Sequence, residues 1–196
     1  QARRDRGAAG WALYGVTEGC EQFLQRQGAQ VNTLGVATMQ APPRKIIDFA
    51  TSLPGRKATD PLFKSERVID SLDTTQFRKA LNTNVISADV VYAETLAPVW
   101  GVAARDACVL RVVVEGAEGA AVLLRSVEHP KAPEVAHYQR SKVTASILAE
   151  ETPSGTAVTA IQSVDPGGNI PHWAVSILAP QRCLLPLHLK KAMQSE

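Results

Sequence analysis

Cysteine is scarce in this 196-residue chain, which has only Cys20, Cys108 and Cys183. An odd number without Cys-x-x-Cys spacing encodes neither a disulfide framework nor a zinc site, so a reducing, cytoplasmic setting is expected. The sequence also lacks an excess of either charge, with 21 Lys and Arg scattered among 19 Asp and Glu for a formal net charge of +2. Phosphate backbones require clustered cations, and no nucleic-acid partner is expected. The longest uncharged stretch, Pro166 to Gln181, holds three prolines, an Asn and a His. It cannot supply the ~20 apolar residues of a membrane helix.

Signatures of catalysis are missing too. His129, His137, His172 and His188 have no metalloenzyme spacing, and neither a Gly-x-Ser-x-Gly elbow nor a phosphate-binding glycine loop occurs. Gly167-Gly168 is followed by no Lys-Ser/Thr pair and reads as a turn. No metal, no cofactor and no enzymatic activity are expected. The chain starts at Gln1 with no apolar signal region behind it, so a domain excised from a longer chain is expected.

What is present is an apolar fraction of 45% with 20% charged residues, enough for the core of one domain across residues 1–196. Ala8 to Val16 spaces Trp11 and Tyr14 as a helix would. Strand patterns cover Cys20 to Gln25 and Val31 to Met39. Pro42-Pro43 opens a helix with Ile46, Ile47, Phe49 and Ala50 on one face, ending before Pro54-Gly55. The rest alternates like strands: Glu66 to Leu72, Thr75 to Leu81, Asp89 to Leu96, Ala107 to Val114, Ala120 to Val127, Lys142 to Leu148 and Ala157 to Val164. After the turn at Asp165-Pro166-Gly167-Gly168, Asn169 can cap a final helix running from Ile170 to Met193. Its apolar stripe includes Trp173, Ile177 and Leu189, and it is kinked at Pro180 and Pro186.

Two charges interrupt apolar strands. Alternation puts Arg111 with Val109 and Val113, and Glu94 with Val90, Tyr92 and Leu96. A charge among valines is costly unless paired or solvated. Glu94 and Arg111 are therefore either each other's partner or face a polar spot inside a cavity.

Several segments together resemble a START domain, the lipid-transfer module related to steroidogenic acute regulatory protein. They are Asp60-Pro61-Leu62 with Arg67-Val68-Ile69-Asp70; Arg105-Asp106 opening a strand; Ser126-Val127-Glu128-His129-Pro130; and Val164-Asp165-Pro166-Gly167-Gly168-Asn169-Ile170-Pro171-His172-Trp173. The last resembles the family's Asp-x-x-Gly-x-Ile-Pro-x-Trp junction into the closing helix. Thr59 stands where the family usually has Trp, and Ala107 where it has Phe.

The resemblance implies an α+β helix-grip fold over 1–196, a curved antiparallel sheet around a long C-terminal helix with an internal lipid tunnel. One sheet face would line the tunnel and the other would pack beneath the helix starting at Pro43. The implied function is to bind one lipid (a sterol, a phospholipid or a ceramide-like molecule) and carry it between membranes, as a monomer peripheral to membranes. The alternatives are a lipid-sensing module of a larger protein or a cyclase-type enzyme. Implied lipid contacts are Glu94, Arg111, Tyr92, Val109, Val113, Trp173 and Ile177. The apolar loop with Val99, Trp100 and Val102 is either a lid or a membrane contact, Trp100 resembling the membrane-inserting Trp of a ceramide-carrying member. With only three Trp, three Tyr and four Phe, an aromatic cage for choline is not evident, which favours a small head group.

Overall fold

Period-two alternation governs most of the chain, and the strands it forms join into one antiparallel sheet. The structure, a computed structural model, describes residues 10–27, 30–98, 100–168 and 178–195. Its strands are β1 (Ala12–Thr17), β2 (Cys20–Gln27), β3 (Gln30–Met39), β4 (Phe63–Ser71), β5 (Asn84–Thr95), β6 (Ala104–Gly116), β7 (Gly119–Ser126), β8 (Tyr138–Arg140), β9 (Lys142–Thr152) and β10 (Gly155–Asp165). They order as β1-β2-β3-β10-β9-β7-β6-β5-β4, with short β8 parallel to β6.

Two expectations for local structure fail for identifiable reasons. Ala12–Thr17 is a strand rather than a helix because Glu18 (φ 48°) and Gly19 (φ 78°) form a tight hairpin turn that folds it onto β2. Thr75 to Leu81, expected as a strand, lies in helix α3 (Thr74–Leu81). The Asp73 carboxylate accepts a bond from the Thr75 amide at 3.0 Å, and Asn82 ends the helix in the left-handed region. These caps outweigh the strand preference of Thr74, Thr75 and Phe77.

The first helix, α1 (Pro43–Thr51), starts at its proline as expected. Instead of stopping there, the chain enters α2 (Leu53–Thr59). The Ser52 hydroxyl caps the Gly55 amide at 3.0 Å, and Pro54 falls in the tolerant first turn. Near the C-terminus, residues 178–182 are helical, 183–184 turn, and α4 (Leu185–Gln194) follows with Pro186 in its first turn. The second proline thus begins a helix rather than kinking one. The expected helix start at Ile170 lies outside the described residues.

Helices α1 and α4 both pack on the inner face of the sheet. Ile46, Ile47 and Ala50 of α1 and Leu189 of α4 share a core with Val113, Val122, Ile147, Ala149, Val158 and Ala160. The helix at Pro43 therefore lies on the same side as the closing helix, not the opposite side. It does so because its apolar triplet matches the small and branched residues of β7 and β9. The outer face is covered elsewhere: Phe77 of α3 packs near Val85, Ala88 and Val112, and Ala132 near Val90, Tyr92 and Cys108. Gly35 allows the C-terminal segment to descend onto the sheet, since a Cβ there would meet the Cys183 carbonyl at 1.9 Å.

Candidate functional site

Paired residues of a sheet point to the same side, so the inner face can be followed rung by rung across the strands. Val113, Val122, Ile147, Ala160 and Gly35 form one rung, and all are buried. Two residues further along, the rung is Asp89, Arg111, Leu124, Ala145, Gln162 and Thr33. Here Arg111, Leu124, Ala145 and Gln162 are only half-buried. Next comes Val109 opposite Ser126, with Val143 opposite Val164, and Ser126, Val143 and Val164 are again half-buried. Burial thus falls along the inner face among the described residues, from a packed end to a less covered one, the hollow end.

The hollow end is also where β5 turns into β6 and β10 ends at Asp165. Trp100, in the β5–β6 loop, is 100% exposed, and Leu96 is 48% exposed. Trp100 is not folded back over the hollow as a lid. Val102 is half-buried, and Val99 lies outside the described residues.

Arg111 sits at the boundary between packed and hollow. Its guanidinium binds Glu66 of β4 at 2.7 Å, lies 3.7 Å from Asp89, and donates to the Thr51 carbonyl at 3.4 Å. Arg56 reaches the other Glu66 oxygen at 3.5 Å and Asp60 at 3.4 Å. Arg111 is thus already neutralised by carboxylates within the fold.

Glu94 is not the partner of Arg111. It pairs with Asp106 in the ladder, five residues along from Asp89, and its side chain points to the outer face. There its carboxylate accepts from the Ser65 hydroxyl at 2.5 Å, which with nearby cations holds its pKa below the usual value. Tyr92 shares the outer face. Its hydroxyl donates to Asp106 at 2.9 Å, and burial followed by this carboxylate pushes its pKa up to about 12. Asp106 is 1% exposed and accepts two bonds from Arg140, each at 2.9 Å; Arg140 also donates to the Ala132 and Pro133 carbonyls. The Arg-Asp motif therefore anchors the loop before β8.

Of the other expected contacts, Val109 lies on the inner face at the hollow end, while Val113 belongs to the closed core. Trp173 and Ile177 lie outside the described residues. A separate open groove of about 820 Å³ runs between α2 and α4, lined by Pro54, Lys57, Thr59, His188 and Lys191. It lies outside the inner face.

Three polar residues of the inner side escaped the sequence reading: Glu66, Gln162 and Arg182. Arg182 is the most legible afterwards, as the single Lys or Arg between Asp165 and Lys190 in an otherwise apolar segment. Its carbonyl accepts from the Gln162 amide at 3.4 Å. Burial pushes the pKa of its guanidinium down, opposed by the field of Asp60.

The START domain model matches residues 68–185. The chain belongs to the START family. A START fold accounts for the whole described architecture, since similar solved structures cover nearly all of it. They include the lipid transfer and protein localization domain of human StarD13 (DLC2), with 19% identity, a TM-score of 0.75, and 100% of this chain and 95% of that one covered. Human STARD10 shares 22% identity at TM-score 0.76 over 98% and 78%. Human StAR-related lipid transfer protein 5 shares 18% at 0.77 over 99% and 91%. No curated protein sequence matches significantly. Of the START motif residues, Asp106 is fixed by Arg140 on the outer face, whereas Arg105 stays at the hollow end and donates to the Pro166 carbonyl at 3.4 Å. Thr59 is buried and donates to the Gly55 carbonyl at 2.7 Å, a local helix contact.

Proposed function

We propose that this START domain binds one lipid in the hollow of its inner face and carries it between membranes. The carrying observation is the change along that face from fully buried rungs to half-buried ones at Leu124, Ala145, Val143 and Val164. A hollow floored by these apolar side chains offers a lipid tail about 0.8 kcal/mol for each CH₂ removed from water. Exchange with a bilayer interior is then close to thermoneutral, which permits both loading and release. Val109 and Arg111 border this space, Arg111 as a neutralised edge rather than an open charge. The relatives named as lipid transfer proteins point the same way.

Exposed Trp100 and Leu96 stand beside the open end. A Trp in water at such a loop loses little by moving into the headgroup layer, where its amphipathic ring is favoured. The loop is the membrane-docking element under this reading. Under this reading contact is peripheral; no helix among the described residues is long and apolar enough to cross a membrane.

The test is transfer of a fluorescent lipid between donor and acceptor vesicles. The wild type should accelerate transfer. Trp100→Ala should bind lipid in detergent-free solution as well as the wild type, with stability changed by less than about 0.5 kcal/mol, yet sediment poorly with vesicles. A wild-type protein that binds no lipid, or a variant that docks normally, contradicts the reading.

A further inference from the structure

Among the described residues the sheet ends on β1 at one side and on β4 at the other. An edge strand leaves alternate backbone N–H and C=O groups unpaired, a template for any strand that can reach them. The β4 edge is blocked. Lys64, Glu66, Arg67 and Asp70 charge it, and its ladder with β5 is interrupted between Phe63 and Ser65 and again between Val68 and Asp70. Lys131 already donates to the Ile69 carbonyl at 2.9 Å. Charges and bulges of this kind keep an edge from pairing.

The β1 edge carries no charge at all. Ala12–Thr17 contains neither Asp, Glu, Lys nor Arg, and Leu13, Tyr14 and Val16 are each at least half exposed. Its one irregularity, between Leu13 and Gly15, groups the apolar residues. Leu13 pairs with Phe23 and Val16 with Glu21, both on the outer face with Leu34 and Val36 of β3. Residues three apart on a regular strand point to opposite faces, so the extra residue Tyr14 is what brings Leu13 and Val16 to the same one.

This edge is complementary to itself. When a second β1 runs antiparallel about a two-fold axis between Tyr14 and Gly15, Leu13 comes opposite Val16 of the second copy and Val16 opposite its Leu13. Four apolar side chains then meet on one face. Tyr14 comes opposite Gly15 of the second copy, where an added Cβ would find nothing within 4 Å. No like charges oppose each other, and the reciprocity is what a two-fold interface requires. We infer that β1 pairs with β1 of a second copy, joining two sheets into one. The monomer implied by the family resemblance is then the dilute form. Six residues bury less than the ~1,200 Å² of a stable interface, so association is weak, with a Kd of about 10–100 µM. This goes beyond the lipid-binding reading and does not depend on it.

Sedimentation of the whole chain between about 5 and 500 µM reads the equilibrium. The wild type should pass from monomer to dimer across that range. Val16→Lys should weaken the dimer at least about tenfold. A Lys there faces Glu21 across the β1–β2 ladder, a favourable pair that preserves the fold, while it sets an ammonium against Leu13 of the second copy. Leu81→Lys, which removes an exposed leucine from α3, should dimerise like the wild type. Hydrogen exchange on the wild type needs no variant: β1 amides should exchange more slowly at the high concentration than at the low one, with β4 amides unchanged. A wild type that stays monomeric at the highest concentration overturns the proposal. So does a dimer that survives Val16→Lys, one that disappears in Trp100→Ala instead, or β1 exchange that is independent of concentration.

Discussion

The two ends of the inner face are built from the same strands, only two or three rungs apart, yet their side chains live in different surroundings. At one end Val122, Ala149 and Val158 are at most 1% exposed beneath α1 and α4. At the other, Leu124, Ala145, Val143 and Val164 remain half-buried although they sit in the middle of the sheet. The sequence of each strand does not change character between these positions. What changes among the described residues is the layer above, since α1 and α4 share their core with the first end. The packed end supplies stability, and under the proposed function the hollow end receives the lipid.

The largest expected effect breaks the packed end. Ala149 is 0% exposed, and Ala149→Phe forces a ring into a filled core. Overpacking of this kind costs about 1–3 kcal/mol, and the enclosed position puts it at the upper part of that range. A fall in the urea midpoint at constant m-value would record it. An unchanged midpoint would mean that the core under α1 is looser than described.

At the boundary, Arg111→Leu removes a charge shared by Glu66 and Asp89. Losing one partner of a fully buried pair costs about 3–5 kcal/mol. Here Glu66 keeps Arg56 and the cluster is partly open, so a smaller loss of about 1–2 kcal/mol is expected from the same reasoning. Lipid affinity should fall more than stability, because Asp89 then borders the hollow without its cation while Glu66 keeps only Arg56. Equal affinity in the purified variant would remove Arg111 from the binding site altogether.

The outer face gives a control that should not touch the hollow. Folded Tyr92 holds its proton to about 12 against an ordinary value of 10.0. The unfolded chain releases that proton first as pH rises. The stabilisation is therefore complete below pH 10 and lost progressively between pH 10 and about 12. In Tyr92→Phe this part of the alkaline fall should flatten, as read by thermal unfolding across that range, with lipid binding at neutral pH unchanged.

These contrasts also mark what could be read from residues alone. Most strands were legible because a period of two survives any tertiary detail. The family was legible from the Arg105-Asp106 pair and the Asp165-to-Trp173 junction, whose order is set by the fold. Thr74–Leu81 was not, because two capping residues outweighed the β-propensity inside it. The alternative that paired Glu94 with Arg111 failed for a simple reason: alternation places residues on a face within one strand but does not say which face of the next strand matches it. Register settled that, putting Asp89 beside Arg111 and turning Glu94 outward. Glu66, Arg111's closest partner, comes from a strand separated from β6 by β5, a contact no spacing rule contains. Nor can composition separate an apolar residue that fills a core from one that lines a hollow, since Ala145 and Ala149 are the same residue on the same strand.

That pair provides the most direct test of the central claim. Ala145→Phe places a ring in the hollow, as Ala149→Phe places one in the core. Native mass spectrometry of lipid-loaded protein, with a melting curve on the same sample, measures capacity and stability together. The account predicts one bound lipid in the wild type, little or none in Ala145→Phe, and a melting temperature for that variant close to the wild-type value. A strongly destabilised Ala145→Phe protein, or one that still carries its lipid, would contradict a hollow at this end of the sheet.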